Sequence, residues 1–163
     1  MQYSTSQLCD YFADSVDVVE PIFHDYGGKH SFCGIITTIK CFENIGLISD
    51  ILSEQGNGRV LLIDAGGSKR RAVVDYNLAS MAFENSWAGI VCFGAVRDVD
   101  LLSTIGIGIK AIASIPVLAE NRKDGDIDLP VNFAGVTFLP DDYLYADSTG
   151  VIISPDELLI VKS

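Results

Sequence analysis

Two runs of consecutive apolar residues, at 60–63 and 89–93, constrain the fold of this chain most strongly. Strands that are buried on both faces have such runs, without an alternation of apolar and polar residues. Between the runs, apolar residues recur at helical spacing over residues 78–83, and Asp75 stands where a helix N-cap is expected. The pattern predicts a βαβ unit, and therefore an α/β fold in which these two strands are parallel.

The two predicted strands should end at one edge of the sheet, because parallel strands point in the same direction. The first run is followed by residues 64–67, and the second by residues 94–98, which include Arg97 and Asp98. Small ligands of α/β proteins bind at this edge. Arg97 and Asp98 are therefore the first candidates for a functional site.

The other segments predict a sandwich with more strands than helices. A first helix is predicted after a cap at Thr5 or Ser6, a second after a cap at Asn44, and a helical turn at residues 99–102. Strands are predicted at residues 31–42, 106–115, 131–133, 136–139, 143–146 and 151–153. The last four are spaced as β-meanders. We expect a single domain over residues 1–163, with one parallel crossover at its centre.

The composition indicates a soluble protein that has more apolar surface than its own fold is expected to bury. Of the 163 residues, 48% are hydrophobic, yet no segment reaches the roughly 18 consecutive apolar residues that span a membrane. We therefore expect a subunit interface. The segment MQYSTSQLCDYF does not resemble a secretory signal, and the cysteines lack C-x-x-C spacing. We expect a cytoplasmic protein with reduced thiols at Cys9, Cys33, Cys41 and Cys92.

The charge of the chain is strongly negative. Acidic residues outnumber basic residues by 22 to 11, so the formal net charge is −11. Direct binding to nucleic acid depends on neutralising phosphates and is disfavoured by this charge. A basic protein partner would be attracted by the same field. The alternative is that the acidity only keeps the protein soluble.

Several common catalytic and cofactor motifs are missing. Gly66 and Gly67 are followed by Ser-Lys-Arg-Arg, so they do not begin a G-x-G-x-x-G fingerprint. The sequence also contains no phosphate-binding P-loop and no G-x-S-x-G elbow. His24 and His30 stand six residues apart in a predicted loop without a third ligand nearby, so we interpret them as surface residues. Nucleotide binding and triad hydrolysis are thus poorly supported.

Arg97 and Asp98 suit a substrate that carries carboxylates. A carboxylate such as Asp98 can hold a hard divalent cation, and Arg97 can bind a substrate carboxylate with two parallel hydrogen bonds. The backbone amides at the predicted helix start, residues 75–78, would form an anion pocket at the same edge. Together these groups fit a metal-assisted reaction of an α-keto acid. Arg-Asp pairs in loops are also common as simple surface ion pairs, and both interpretations stay open.

Almost the whole chain, residues 3–161, resembles the RraA-like family, which includes regulators of ribonuclease E activity. It also includes metal-dependent 4-hydroxy-4-methyl-2-oxoglutarate aldolases and oxaloacetate decarboxylases. The segments that carry the resemblance are residues 8–10, 18–21, 39–43, 66–72, 94–97, 131–133, 135–138 and 144–147. The resemblance implies a swivelling β/β/α fold, a homotrimer and a cleft at a subunit boundary.

The resemblance also assigns roles to the candidate residues. In the enzymes of the family, the residues matching Arg97 and Asp98 contact substrate and bind magnesium or manganese, and the amides of a Gly-Asp loop bind substrate. That loop corresponds here to Asp75, Tyr76, Asn77 and Leu78, so the Gly-Asp is replaced by Asp75-Tyr76. A carboxylate at Asp75 can cap its own helix and repel anions from these amides. The regulators are closer to this chain at that loop and at residues 105–108, but typically lack an aspartate matching Asp98.

Two functions follow from the resemblance. The first is a regulator that binds ribonuclease E, or its RNA-degrading assembly, through the enzyme's basic RNA-binding segments and inhibits cleavage. The alternative is a class II, metal-dependent aldolase or decarboxylase, a lyase on pyruvate-type keto acids. Whether the chain is an enzyme stays open at this point. Methyl transfer is set aside, because no glycine-rich cofactor loop exists.

Overall fold

Ten strands form one curled sheet, and a two-stranded ribbon and four helices pack against it. The structure is a computed structural model that describes residues 1–160. The helices are α1 (Thr5–Tyr11), α2 (Gly46–Leu52), α3 (Tyr76–Glu84) and α4 (Val99–Leu102). The strands are β1 (Asp17–Val18), β2 (His24–Asp25), β3 (Phe32–Lys40), β4 (Val60–Asp64), β5 (Ala72–Val74), β6 (Gly89–Val96), β7 (Gly108–Ser114), β8 (Asp126–Ile127), β9 (Val131–Phe133), β10 (Val136–Phe138), β11 (Tyr143–Ala146) and β12 (Val151–Ser154).

The centre of the sheet is parallel. The strands follow the order β1-β12-β11-β3-β4-β6-β7-β2, with β5 beside β6 and β8 beside β3. Neighbouring strands from β3 to β7 in this order are parallel, which confirms the predicted βαβ unit from β4 through α3 to β6. The expectation of one crossover is wrong, since α2 and α4 also connect parallel strands. The predicted meanders are two separate hairpins, because β9 and β10 leave the main sheet and form the ribbon.

Both faces of the central strands are covered. Val60 and Leu62 of β4 pack with Phe133 and Phe138 of the ribbon, and the alternate side chains Leu61 and Ile63 pack with the helices. Burial on both faces explains why the strand is apolar throughout, as its sequence predicted. The order ribbon, sheet, helices is the β/β/α arrangement that the resemblance implied, and that expectation is confirmed.

The curl of the sheet depends on Phe32, at the start of β3. Its ring is buried and lies against Gly89 of β6 and Gly108 of β7, although β4 separates β3 from β6 in the sheet. Gly89 and Gly108 are register partners, and a methyl group on either would overlap the ring. The pair of glycines therefore forms a recess into which the ring fits, and this contact draws β3 over the adjacent strands.

Strand β6 is longer than its sequence indicated. We expected it to end at Gly94, but it continues to Val96, because β5 provides a new partner beyond the end of β4. Asp64 of β4 pairs with Phe93, whereas Ala72 of β5 pairs with Ala95. The edge that carries Arg97 therefore lies about 10 Å beyond the end of β4, at about 3.3 Å a residue.

Two helix caps also differ from the prediction. Helix α1 is capped by Ser4, not by Thr5 or Ser6, because the backbone N–H and the hydroxyl of Thr5 both donate to the Asp147 carboxylate, at 2.8 Å each. Asn44 does not cap α2, since its Nδ2 donates instead to the carbonyls of Phe42 and Asp124. In both places the side chain that could cap the helix makes a long-range hydrogen bond instead.

The four cysteines are unpaired, and Cys41 and Cys92 are buried in the core. His24 and His30 are exposed, as predicted. Within residues 1–160, no helix is both long enough and apolar enough to cross a membrane.

Replacing Gly108 by alanine tests the contact with Phe32. We expect Gly108→Ala to lower the free energy of unfolding by about 1–3 kcal/mol, because the added methyl group forces the ring or the strand to shift. Gly150→Ala is the matched control, since a methyl group there meets no atom within 4 Å. The measurement is denaturant unfolding followed by circular dichroism. Equal effects of the two substitutions would contradict the role given to the ring.

Candidate functional site

The structure brings Arg97 and Asp98 against the start of helix α3. The chain leaves β6 with the backbone N–H of Arg97 donating to the carbonyl of Val74 at 3.0 Å, which fixes the turn beside Asp75. The Asp98 carboxylate then accepts a hydrogen bond from the backbone N–H of Tyr76 at 3.1 Å. Arg97 and Asp98 therefore meet the start of α3, as the predicted βαβ unit implied.

Two carboxylates of the chain occupy the amides at the start of α3. Asp75 is the N-cap, and its Oδ1 accepts from the N–H of Leu78 at 2.9 Å. Asp98 takes the N–H of Tyr76. The positive end of the helix is thus neutralised by side chains of the protein itself. An anionic ligand would have to displace one of these carboxylates to reach the same amides.

Arg97 lies between the two carboxylates. Its Nη2 is 3.5 Å from Asp75 Oδ2, and its Nε is 3.8 Å from Asp98 Oδ2. Neither contact is a close bidentate pair, and Nε is buried without a hydrogen-bond partner in the part of the chain described. One guanidinium between two carboxylates leaves the cluster with an excess of negative charge, which disfavours anions further.

The backbone of Asp98 explains how its side chain reaches back to α3. Asp98 is in the left-handed conformation, with φ 58° and ψ 39°, which turns the chain sharply from β6 into α4. Aspartate is one of the few residues other than glycine that adopt this conformation readily. The residue type therefore serves the turn as well as the hydrogen bond to Tyr76.

An open cavity of about 220 Å³ lies beside this pair. Its lining comes from the ends of β6 and β7 and consists of Arg97, Asp98, Val99, Ser114, Ile115 and Pro116. The last three residues were not among the predicted site residues. The sequence contained the signal, because residues 106–115 read as a further buried strand closed by Pro116, and a parallel strand must end at the same edge.

Some of the expected residues lie elsewhere. None of the predicted residues 75–78 is part of the cavity lining, and Asn77 is exposed on α3. The turn at residues 64–67 is also apart from Arg97 and Asp98, because β6 runs past the end of β4. Its Gly66 borders a different cavity, next to Phe42. The shared edge therefore carries two separate cavities and not one.

Comparison with known proteins identifies the family. Residues 5–153 match the RraA-like family, described as Aldolase/RraA. The chain belongs to the RraA-like family. This assignment covers both regulators and aldolases, so it does not choose between them by itself.

Three solved structures superpose over nearly the whole chain. The RNA-processing inhibitor RraA from Thermus thermophilis is 36% identical with a TM-score of 0.95, and the match covers 100% of this chain and 99% of that one. A structure named S-adenosylmethionine:2-dimethylmenaquinone methyltransferase, from Geobacillus kaustophilus, is also 36% identical, with a TM-score of 0.94 and coverage of 99% and 100%. Streptomyces coelicolor RraAS2, named as an unusual member of the RNase ES inhibitor RraA family, is 25% identical, with a TM-score of 0.76 and coverage of 94% and 81%.

The lyases of the RraA-like family imply a divalent metal, for which the candidate site offers few ligands. Asp98 is the one carboxylate among the residues lining the cavity, and one of its oxygens already accepts from Tyr76. Across residues 1–160, no group of three or more His, Cys, Asp or Glu side chains could hold a metal ion. As arranged here, the residues do not fit a firmly held divalent cation.

Substitution of Asp75 separates its role as a cap from its charge. Asp75→Ala is expected to lower the free energy of unfolding by about 0.5–2 kcal/mol, because the N–H of Leu78 loses its acceptor. Asp75→Asn should retain most of the stability, since asparagine caps helices about as well as aspartate. Chemical denaturation of both variants measures the difference. If Asn is as costly as Ala, the charge beside Arg97, and not the cap, stabilises this turn.

Proposed function

We propose that this RraA-like protein is a regulator that binds ribonuclease E, or the RNA-degrading assembly around it, and inhibits RNA cleavage without catalysing a reaction itself. The observation that carries the proposal is the likeness, over both complete chains, to a structure named as an RNA-processing inhibitor, at 36% identity. The candidate site supports the same conclusion, because carboxylates of the chain engage the amides that a substrate anion would need.

The proposed mechanism is electrostatic competition with RNA. The formal net charge of −11 attracts the basic RNA-binding segments of the enzyme, and these segments cannot hold RNA while they contact an acidic protein. We further propose a homotrimer, in which the negative charges of three chains would act together on the partner. Exposed apolar side chains on the adjacent helices α3 and α4, such as Phe83 and Leu101, provide a surface for self-association.

A second candidate function is the lyase reaction on pyruvate-type keto acids, with magnesium or manganese as the cofactor. The observation in its favour is the open cavity beside Arg97 and Asp98. Arg97 lines this cavity with a partly exposed side chain and would bind the substrate carboxylate there. Asp98 would first have to leave the N–H of Tyr76, which makes this function the less favoured of the two.

Salt dependence tests the regulator. We expect the affinity for ribonuclease E to fall by on the order of tenfold or more when salt is raised from about 0.1 M to about 1 M, because the screening length falls from about 10 Å to about 3 Å. The measurements are the dissociation constant of the complex and the rate of RNA cleavage at each salt concentration. An affinity that does not change with salt would contradict the electrostatic mechanism.

Asp98→Ala is the control for that experiment. The regulator should still inhibit cleavage when the carboxylate is removed, because inhibition is proposed to need no chemistry at the cavity. Loss of inhibition in a variant that still folds would place the partner surface at this site, and would argue against competition by overall charge.

The lyase candidate is tested with oxaloacetate and magnesium. We expect wild type and Asp98→Ala to decarboxylate oxaloacetate at the same rate as magnesium alone, measured as pyruvate release. A wild-type rate clearly above background that is lost in Asp98→Ala would establish the lyase. In that case the carboxylate must move away from Tyr76 during turnover.

A further inference from the structure

A second cavity, of about 460 Å³, lies at the ends of strands β3 and β4. The segment that follows β7 crosses this edge and forms one wall, with Gly46 donating its N–H to the carbonyl of Arg122 at 2.7 Å. The cavity lining includes Lys40, Cys41, Phe42, Asn44, Arg122 and Asp126. Neither proposed function uses any of them. The carboxyl edge of parallel strands is where α/β proteins bind small molecules.

Asn44 carries an acceptor without a donor. The residue is 2% exposed, and its Nδ2 donates to the carbonyls of Phe42 and Asp124, which fixes the orientation of the amide. Its Oδ1 is buried and has no hydrogen-bond partner within residues 1–160. A buried acceptor left unsatisfied is costly, so this oxygen would be stabilised by an N–H or O–H donor that reaches it.

Two opposite charges face the cavity without pairing to each other. Lys40 of β3 and Asp126 of β8 are register partners, so their side chains leave the sheet on the same face. No ion pair within 4.0 Å involves either side chain in the described part of the chain, whereas Arg122 is engaged by Glu120 at 2.9 Å and by Asp124 at 3.4 Å. The site thus presents one free cation and one free anion, with no net charge between them.

The remaining wall is apolar. Phe42 is 50% exposed, which is unusual for an aromatic ring that follows a buried strand, and it lies over Gly66. Burial, and to a smaller extent the nearby Asp64 carboxylate, raise the pKa of the Cys41 thiol to about 12, so the thiol is neutral at physiological pH. A ligand's apolar side chain would find a neutral surface here.

From these features the geometry points to a binding site for a free α-amino acid with an apolar side chain. The carboxylate of the ligand pairs with Lys40, and its ammonium group donates to Asp126 and to Asn44 Oδ1. The side chain lies against Phe42. A zwitterion matches a site with both charges and no net charge, whereas a simple anion would be repelled by Asp126 and a simple cation by Lys40.

L-Phenylalanine is the probe, and chemical-shift titration of the full chain is the measurement. We expect saturable shifts of the amides that surround the cavity. N-acetyl-L-phenylalanine, which lacks the ammonium group, and L-phenylalaninamide, which lacks the carboxylate, should each bind about tenfold more weakly. Glycine, which lacks an apolar side chain, should also bind more weakly. Equal binding of phenylalanine and both derivatives would overturn the proposal, and so would the absence of saturable shifts.

Variants locate the site. Lys40→Met should weaken phenylalanine binding by about tenfold, and Lys123→Met is the matched control, because Lys123 lies on the same segment as Arg122 but pairs with Asp50 outside the cavity. Asp126→Asn should reduce the preference for phenylalanine over its N-acetyl derivative, which a merely structural residue would not do. Equal losses in Lys40→Met and Lys123→Met, or an unchanged preference in Asp126→Asn, would overturn the assignment.

Discussion

The fold depends on a single aromatic side chain that fits against two glycines. Phe32 begins β3, yet its ring packs on Gly89 and Gly108, which are register partners in β6 and β7. Such a contact is possible only if the sheet curls, because β4 lies between β3 and β6. The curl gives the sheet a concave face that the ribbon β9–β10 fills, and a convex face that the helices cover. The three-layer order of the domain follows from this packing.

The curled sheet also decides where ligands can reach it. Strand β5 joins β6 where β4 ends, so the edge of the sheet is stepped. One cavity lies at the lower step, at the ends of β3 and β4, and the other at the higher step, at the ends of β6 and β7. The short strand β5 therefore separates this edge into two cavities with different linings.

The sequence predicted what depends on local pattern. The apolar runs identified β4 and β6, Asp75 was found as a cap, and Arg97 and Asp98 were placed beside it because parallel strands end together. What the pattern could not predict depends on distant partners. Asn44 resembles a helix cap in the sequence, but its side chain donates to the distant carbonyl of Asp124 instead. Gly94 resembles a strand end, but β5 pairs with the residues that follow it and extends the strand. The resemblance to the RraA-like family supplied the layer order, which no single segment encodes.

At the candidate site, carboxylates of the chain itself occupy the amides at the start of α3. In this RraA-like chain, Asp75 and Asp98 each take one amide of α3, and together they flank the guanidinium of Arg97. Any anion that enters must replace a charge-assisted hydrogen bond already made within the chain, so it gains only the difference between two similar interactions. A protein that acts by binding a partner loses nothing from this arrangement. An enzyme would have to open the site in every turnover, and that cost favours the regulator.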